Sequence, residues 1–243
     1  MDTQTRHALK QDTFVQATTS TLDWVQDNRA SVIRTSIAAV VVFAVIVGSV
    51  VLYEHRSAVA ASALGQALDV YSTPLRQAGE PAEPGNQSFA TAADRAKAAN
   101  QQFADVANRY GWLSAGRTAR YFAGITDIDL SKTADAENNL KQVAGSYDRN
   151  LAALAKVALA GLYVQTGKTA QAVDLYNQLI AKPTVTVPAS AAQLQLAQLY
   201  ETTDPQKAKQ IYAVLKDKDK STAAGQIAAE KLAGGRPPSA PLQ

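Results

Sequence analysis

The chain of 243 residues contains no Cys, a single Met and two His, and only 7% of it is aromatic. Without Cys there is no disulfide scaffold, no thiolate metal site and no cysteine nucleophile. The two imidazoles, His7 and His55, stand 48 positions apart on either side of an apolar run. That separation argues against a paired imidazole ligand set and against a Ser/His/Asp triad. Charge of one sign is also missing in excess: 24 basic residues are interspersed with 21 acidic ones. No basic stripe of the kind a nucleic-acid binder needs is formed. Charged residues total only 19%, whereas 47% are apolar, mostly Ala, Val and Leu, which excludes wholesale disorder and favours closely packed helices.

One long uncharged run is present, Ile37 to Tyr53 (IAAVVVFAVIVGSVVLY), between Arg34 and Glu54-His55-Arg56. As a helix its 17 residues reach ~26 Å, and Thr35 and Ser36 bring it close to the ~30 Å of a bilayer core. Arg34 can snorkel to headgroups and Tyr53 suits the other interface. Ala58-Val59-Ala60 is a small-x-small site that a signal peptidase could use. The long region before the run, and three charged residues after it, favour an uncleaved signal anchor over residues 35–56. Arg29 and Arg34 before the run, against Arg56 after it, bias the N-terminus to the cytoplasm and the rest to a bacterial periplasm. Ala44 and Gly48 form a small-xxx-small pair that could pack on another membrane helix. Residues 1–34 read as a cytoplasmic helical segment, with Phe14, Thr18, Leu22 and Val25 on one face.

Beyond position 57 the sequence repeats. Ala136, Ala172 and Ala208 recur at a spacing of 36, as do Leu140, Tyr176 and Tyr212, and Val143, Leu179 and Leu215. Ala99, Phe103 and Val106 carry the same +4, +3 pattern one unit earlier. Such spacing sets each triplet on one helix face, the small Ala at the closest approach to a partner helix. Upstream of each stripe lies a second triplet. In the best unit Leu159-Ala160 and Tyr163 precede Gly167, Ala172, Tyr176 and Pro183, the L-[GA]-x-x-Y … A-x-x-x-[FY] … P pattern of a tetratricopeptide (TPR) unit. The next has Leu196-Ala197 and Tyr200, with Asp204-Pro205 as N-cap and first-turn proline. The unit before has Ala123-Gly124, and Asp127 where the others carry Tyr. In the first, Leu64-Gly65 and Leu68 precede Ala99 by an extra stretch rich in Pro and Gly, which predicts a flexible insertion over residues 73–90. Thr222–Leu232 reads as a cap helix and residues 234–243 as a disordered tail. The expected fold is therefore all-α: one transmembrane helix, then a TPR-like α-solenoid of three to four helix pairs plus a cap over residues 57–233.

No catalytic constellation emerges, and the chain reads as a non-enzyme without cofactor or metal. Asp127 and Asp129 are the closest acidic pair in a repeat; two apart on a helix, they face different ways and are expected on the solvated surface. Gly234-Gly235 precedes no helix and cannot cradle a phosphate. Lys216, Lys218 and Lys220 alternate with Asp217 and Asp219 in a neutral turn.

TPR arrays bind peptides or helices along the face made by the first helix of each pair. The family's groove positions fall on Tyr121, Ile125 and Ile128, then Val157, Gly161 and Val164, then Leu194, Gln198 and Glu201. Val157 and Leu194 stand where carboxylate-clamp members need basic or Asn side chains, so an apolar groove for unfolded segments is expected. The alternative is that these residues pack on the cap helix or a neighbouring repeat. The layout, together with the HALKQDTFVQ…LDWVQDNR stretch before the span, resembles the YfgM-like family. That resemblance implies an ancillary subunit of the SecYEG translocon that works with a membrane-anchored periplasmic chaperone and handles exported chains. The long Pro/Gly loop after Tyr71 departs from the family's compact pattern. A TPR scaffold for envelope assembly or cell division shares the layout and is the rival expectation.

Overall fold

A computed structural model describes residues 28–76 and 88–234. Most of the helical segment expected over residues 1–34, the middle of the insertion and nearly all of the tail lie outside the described residues. The chain divides into two units, Met1–Arg56 and Ser57–Gln243. Among the described residues all regular structure is helical, apart from an isolated bridge between Leu75 and Phe89.

Helix α1 (Arg29–Ser72) is 44 residues long; it begins in the first unit and ends in the second. Glu54-His55-Arg56 does not interrupt it, since none of the three is a helix breaker. In the first unit Ile37, Val42, Phe43 and Leu52 are each more than half exposed, and none of the most apolar window is buried among the described residues. This is one N-terminal helix long and apolar enough to cross a membrane.

In the second unit α1 is followed by α2 (Ala92–Tyr110), α3 (Ser114–Asp129), α4 (Thr133–Ala144), α5 (Arg149–Gln165), α6 (Thr169–Ala181), α7 (Ala189–Thr203), α8 (Pro205–Lys218) and α9 (Ala223–Leu232). Local chemistry sets the boundaries. Thr91 opens α2 by accepting from the Asp94 N–H while its own hydroxyl donates to Asp94 Oδ2, a reciprocal cap. Asp148 caps α5 through the N–H groups of Asn150 and Leu151, and Asp204 caps α8 ahead of Pro205, as the sequence implied. Gly167, at φ +73°, turns the chain between α5 and α6 in a conformation that disfavours any side chain.

From α2 onward each helix packs on the next, and α3 also touches α5 and α7 touches α9. All twelve residues of the repeating stripes, from Ala99, Phe103 and Val106 to Ala208, Tyr212 and Leu215, are at most 5% exposed. Three apolar clusters result. The first joins Ala67 and Val70 of α1 to Phe103, Val106, Ala119 and Ala123, with Phe103 and Phe122 stacked at 5.3 Å and Tyr71 edge-on to Phe103 at 6.1 Å. The second runs from Ala136 on α4 to Leu199 on α7. The third joins Leu194, Ala197, Tyr212 and Leu215 to Ala224 and Ala228 of α9. Tyr200 and Ile211 border both of these last two.

One expectation is corrected here. Asp129 is exposed, but Asp127 is only 3% exposed and is not part of the solvated surface. It sits four positions after Ala123, hence on the inward face of α3. Burial of a carboxylate is costly without partners. Asn100 of α2 donates to Asp127 Oδ1 at 2.8 Å, and Asn139 of α4 donates to Oδ2 at 2.9 Å.

Candidate functional site

The residues assigned to a groove fall into two groups. Tyr121, Ile125 and Ile128 line one face of α3, and Val157, Gly161 and Val164 one face of α5. Five of these six are half-buried and Val164 is 40% exposed. Because α3 and α5 touch, the two faces adjoin, and Tyr121, Ile128 and Val157 border the central cluster with part of each side chain at the surface. Burial raises the Tyr121 hydroxyl above its ordinary pKa. A Cβ at Gly161 would meet nothing within 4 Å, so this face has open space beside α5.

The α7 group is engaged differently. Leu194 is 8% exposed and belongs to the cluster that links α7, α8 and α9. Glu201 accepts a 2.6 Å hydrogen bond from the Tyr212 hydroxyl and pairs with Lys231 of α9 at 3.0 Å. These bonds lower the pKa of Glu201, while burial and then Glu201 raise that of Tyr212. Gln198 is half-buried between them in sequence. Of the two readings of these positions, an open groove or packing on the cap, Leu194 and Glu201 follow the second and the α3–α5 face is compatible with the first.

Two polar constellations were not foreseen. One is the Asn100–Asp127–Asn139 link, in which Asn100 Nδ2 also reaches Thr126 Oγ1 at 2.9 Å and the Ala123 carbonyl at 3.1 Å. It underlies a surface depression of about 310 Å³ rimmed by Asn108, Arg120, Asp135 and Asn138. The other centres on Glu137, which accepts from Lys141 at 2.6 Å, Lys168 at 2.7 Å and the Tyr163 hydroxyl at 3.1 Å. Hydrogen bonds from Lys141 and Lys168 hold its carboxyl down at about 2. The sequence signal for the first was Asp127 in a Tyr column, which could have prompted a search for amide partners in the flanking helices. Glu137 follows Ala136 of the buried stripe; its pairing with Lys141 is an i,i+4 pattern, but Tyr163 and Lys168 come from α5 and the turn after it, which no short-range pattern joins to α4.

A larger depression of about 670 Å³ lies across α4, α5 and α6, floored by Leu159, Tyr163 and Leu175 with Lys141, Lys156 and Asp174 beside it. Among the described residues no three His, Cys, Asp or Glu side chains gather so as to hold a metal ion. Comparison with protein families, with curated proteins and with solved structures gives no match for this chain. The described residues thus define an all-helical protein with one exposed apolar N-terminal helix and a helical unit whose buried stripes repeat.

Proposed function

We propose that the protein is a single-pass inner-membrane protein, N-terminus cytoplasmic, whose second unit is a periplasmic TPR-like solenoid that binds other proteins at the secretion machinery. In this reading it is an ancillary translocon subunit that links exported chains to periplasmic chaperones, working through contacts and not through catalysis. The observation that carries it is the coexistence of two features: a membrane-length apolar stretch of α1 in which nothing is buried, and four buried Ala-x-x-x-[FLY]-x-x-[VL] stripes, the last three 36 residues apart. The half-exposed α3–α5 face, with Tyr121, Ile125, Ile128, Val157 and Val164, offers the apolar surface that an unfolded segment needs.

The test is purification of the full-length protein from its own membranes in mild detergent, with co-purifying proteins identified by mass spectrometry. Translocon subunits together with a periplasmic chaperone are expected. Division or envelope-assembly proteins without the translocon would overturn the secretion role and favour the scaffold reading.

A further inference from the structure

The hydrogen bonds and ring contacts sort the second unit into two ends. Tyr71, near the end of α1, donates to Asp129 at the end of α3. Tyr163, near the end of α5, and Lys168 in the turn after it both reach Glu137 at the start of α4. At the other end, the Arg117 guanidinium in the first turn of α3 donates to the Trp112 carbonyl and lies 4.3 Å over the Tyr147 ring, in the α4–α5 link. Thr186, in the α6–α7 link, donates to the Asn150 carbonyl at the start of α5. The links α2–α3, α4–α5 and α6–α7 therefore share one end. Ser57, where this unit begins, is 14 residues before Tyr71, ~21 Å back along α1, and so belongs to that same end.

This end is chemically distinct. Three of the links at this end expose a large side chain, Trp112 at 58%, Tyr147 at 79% and Val185 at 91%, while the α8–α9 link, which the Lys231–Glu201 pair places at the same end, carries Asp217, Lys218, Asp219 and Lys220. The rings at the opposite end, Tyr71, Tyr163 and Tyr200, are buried or half-buried. Arg149 and Lys182 stand exposed beside Tyr147 and Val185 in the chain, while the nearby Asp148 carboxylate is engaged by the backbone N–H groups of Asn150 and Leu151. Indole and phenol rings partition to the headgroup region of a bilayer, and Arg and Lys bind lipid phosphates from the same depth. A bilayer is moreover the one partner already implied by the chain, because only Glu54-His55-Arg56 separate Ser57 from the apolar run in sequence.

We propose that the end of the second unit bearing Trp112, Tyr147 and Val185 lies on a phospholipid bilayer surface. The proposal rests on the membrane reading of α1 and is independent of which proteins the α3–α5 face binds.

The full-length chain with Trp24→Phe leaves Trp112 as its sole indole. Reconstituted into phosphatidylcholine/phosphatidylglycerol vesicles, it is compared between ordinary and brominated acyl chains. Loss of Trp112 emission in brominated lipid, with protection from aqueous iodide, is expected. The same loss is expected for Tyr147→Trp in a chain lacking both native Trp. No loss is expected for Gln165→Trp, at the opposite end, in that background. Trp112 as open to iodide and as insensitive to bromine as the indole introduced at position 165 would overturn the proposal. Protection from iodide without bromine quenching would overturn it too, in favour of a second copy of the chain on this end. Carbonate extraction of the vesicles separates the two levels: a chain released by carbonate removes the membrane reading itself, whereas a retained chain with unquenched Trp112 removes only this inference.

Discussion

Helix α1 contains two stretches that the same backbone treats alike and their surroundings do not. From Ile37 to Tyr53 apolar side chains occur all round the helix and are exposed throughout. After Ser57 they thin to one side, where Ala60, Ala67 and Val70 are at most 6% exposed and Gln66 and Asp69 remain outside. An apolar stripe one face wide matches a protein neighbour, whereas an apolar circumference matches a solvent that is itself apolar. The contrast predicts that substitutions of equal chemistry will register in thermal unfolding only where a stripe is packed.

The largest expected effect is Phe103→Ala, at a fully buried ring between Tyr71 and Phe122, which should cost ~3–5 kcal/mol. Val45→Ala, at a side chain 62% exposed, should leave the thermal midpoint of the detergent-purified protein where it was. A comparable drop for both would erase the distinction. Next comes Ala172→Phe: Ala172 is 0% exposed, and overpacking there should cost ~1–3 kcal/mol. An unchanged midpoint for that variant would undo the repeat alignment.

A glycine pair refines the comparison within the second unit. A Cβ on Gly124 would come within 2.8 Å of Leu140 Cγ, so Gly124→Ala should push α3 off α4 and lower the midpoint. Gly161→Ala meets open space on the α3–α5 face and should raise stability by ~0.5–1 kcal/mol through helix propensity. If Gly161→Ala also weakens capture of an unfolded segment, the face is the binding surface.

The smallest effect is electrostatic. The Glu137 carboxyl is held near 2, below its ordinary 4.5, so the folded state binds its proton less readily than the unfolded chain. Its contribution is present above pH 4.5 and is lost as pH falls through about 2. Thermal midpoints measured from pH 6 downward should show wild type above Glu137→Gln, the gap closing across that window; a gap independent of pH would contradict the assignment.

Periodicity made much of this legible. Stripes at +4 and +3 announced the buried faces, Gly167 the turn, and Asp204-Pro205 the start of α8, because each depends on residues close in sequence. What stayed hidden depends on residues far apart. Asp127 was expected at the surface because its partners, Asn100 and Asn139, come from two other helices. Likewise the groove positions on α7 could not be sorted by spacing alone: α9 covers Leu194 through the cluster that holds Ala224 and Ala228, and ties the exposed Glu201 through Lys231. The candidate site was thus readable as faces and unreadable as to which faces are covered.

The absence of Cys makes topology the most direct test of the whole account, since any introduced thiol is unique. Ser20→Cys and Asn177→Cys report on the segment before the apolar run and on α6. A membrane-impermeant maleimide applied to intact spheroplasts should label the thiol at position 177 at once and the thiol at position 20 only after the membrane is opened. Equal labelling of both without permeabilisation, or the reverse order, would contradict a single crossing that places the helical unit outside.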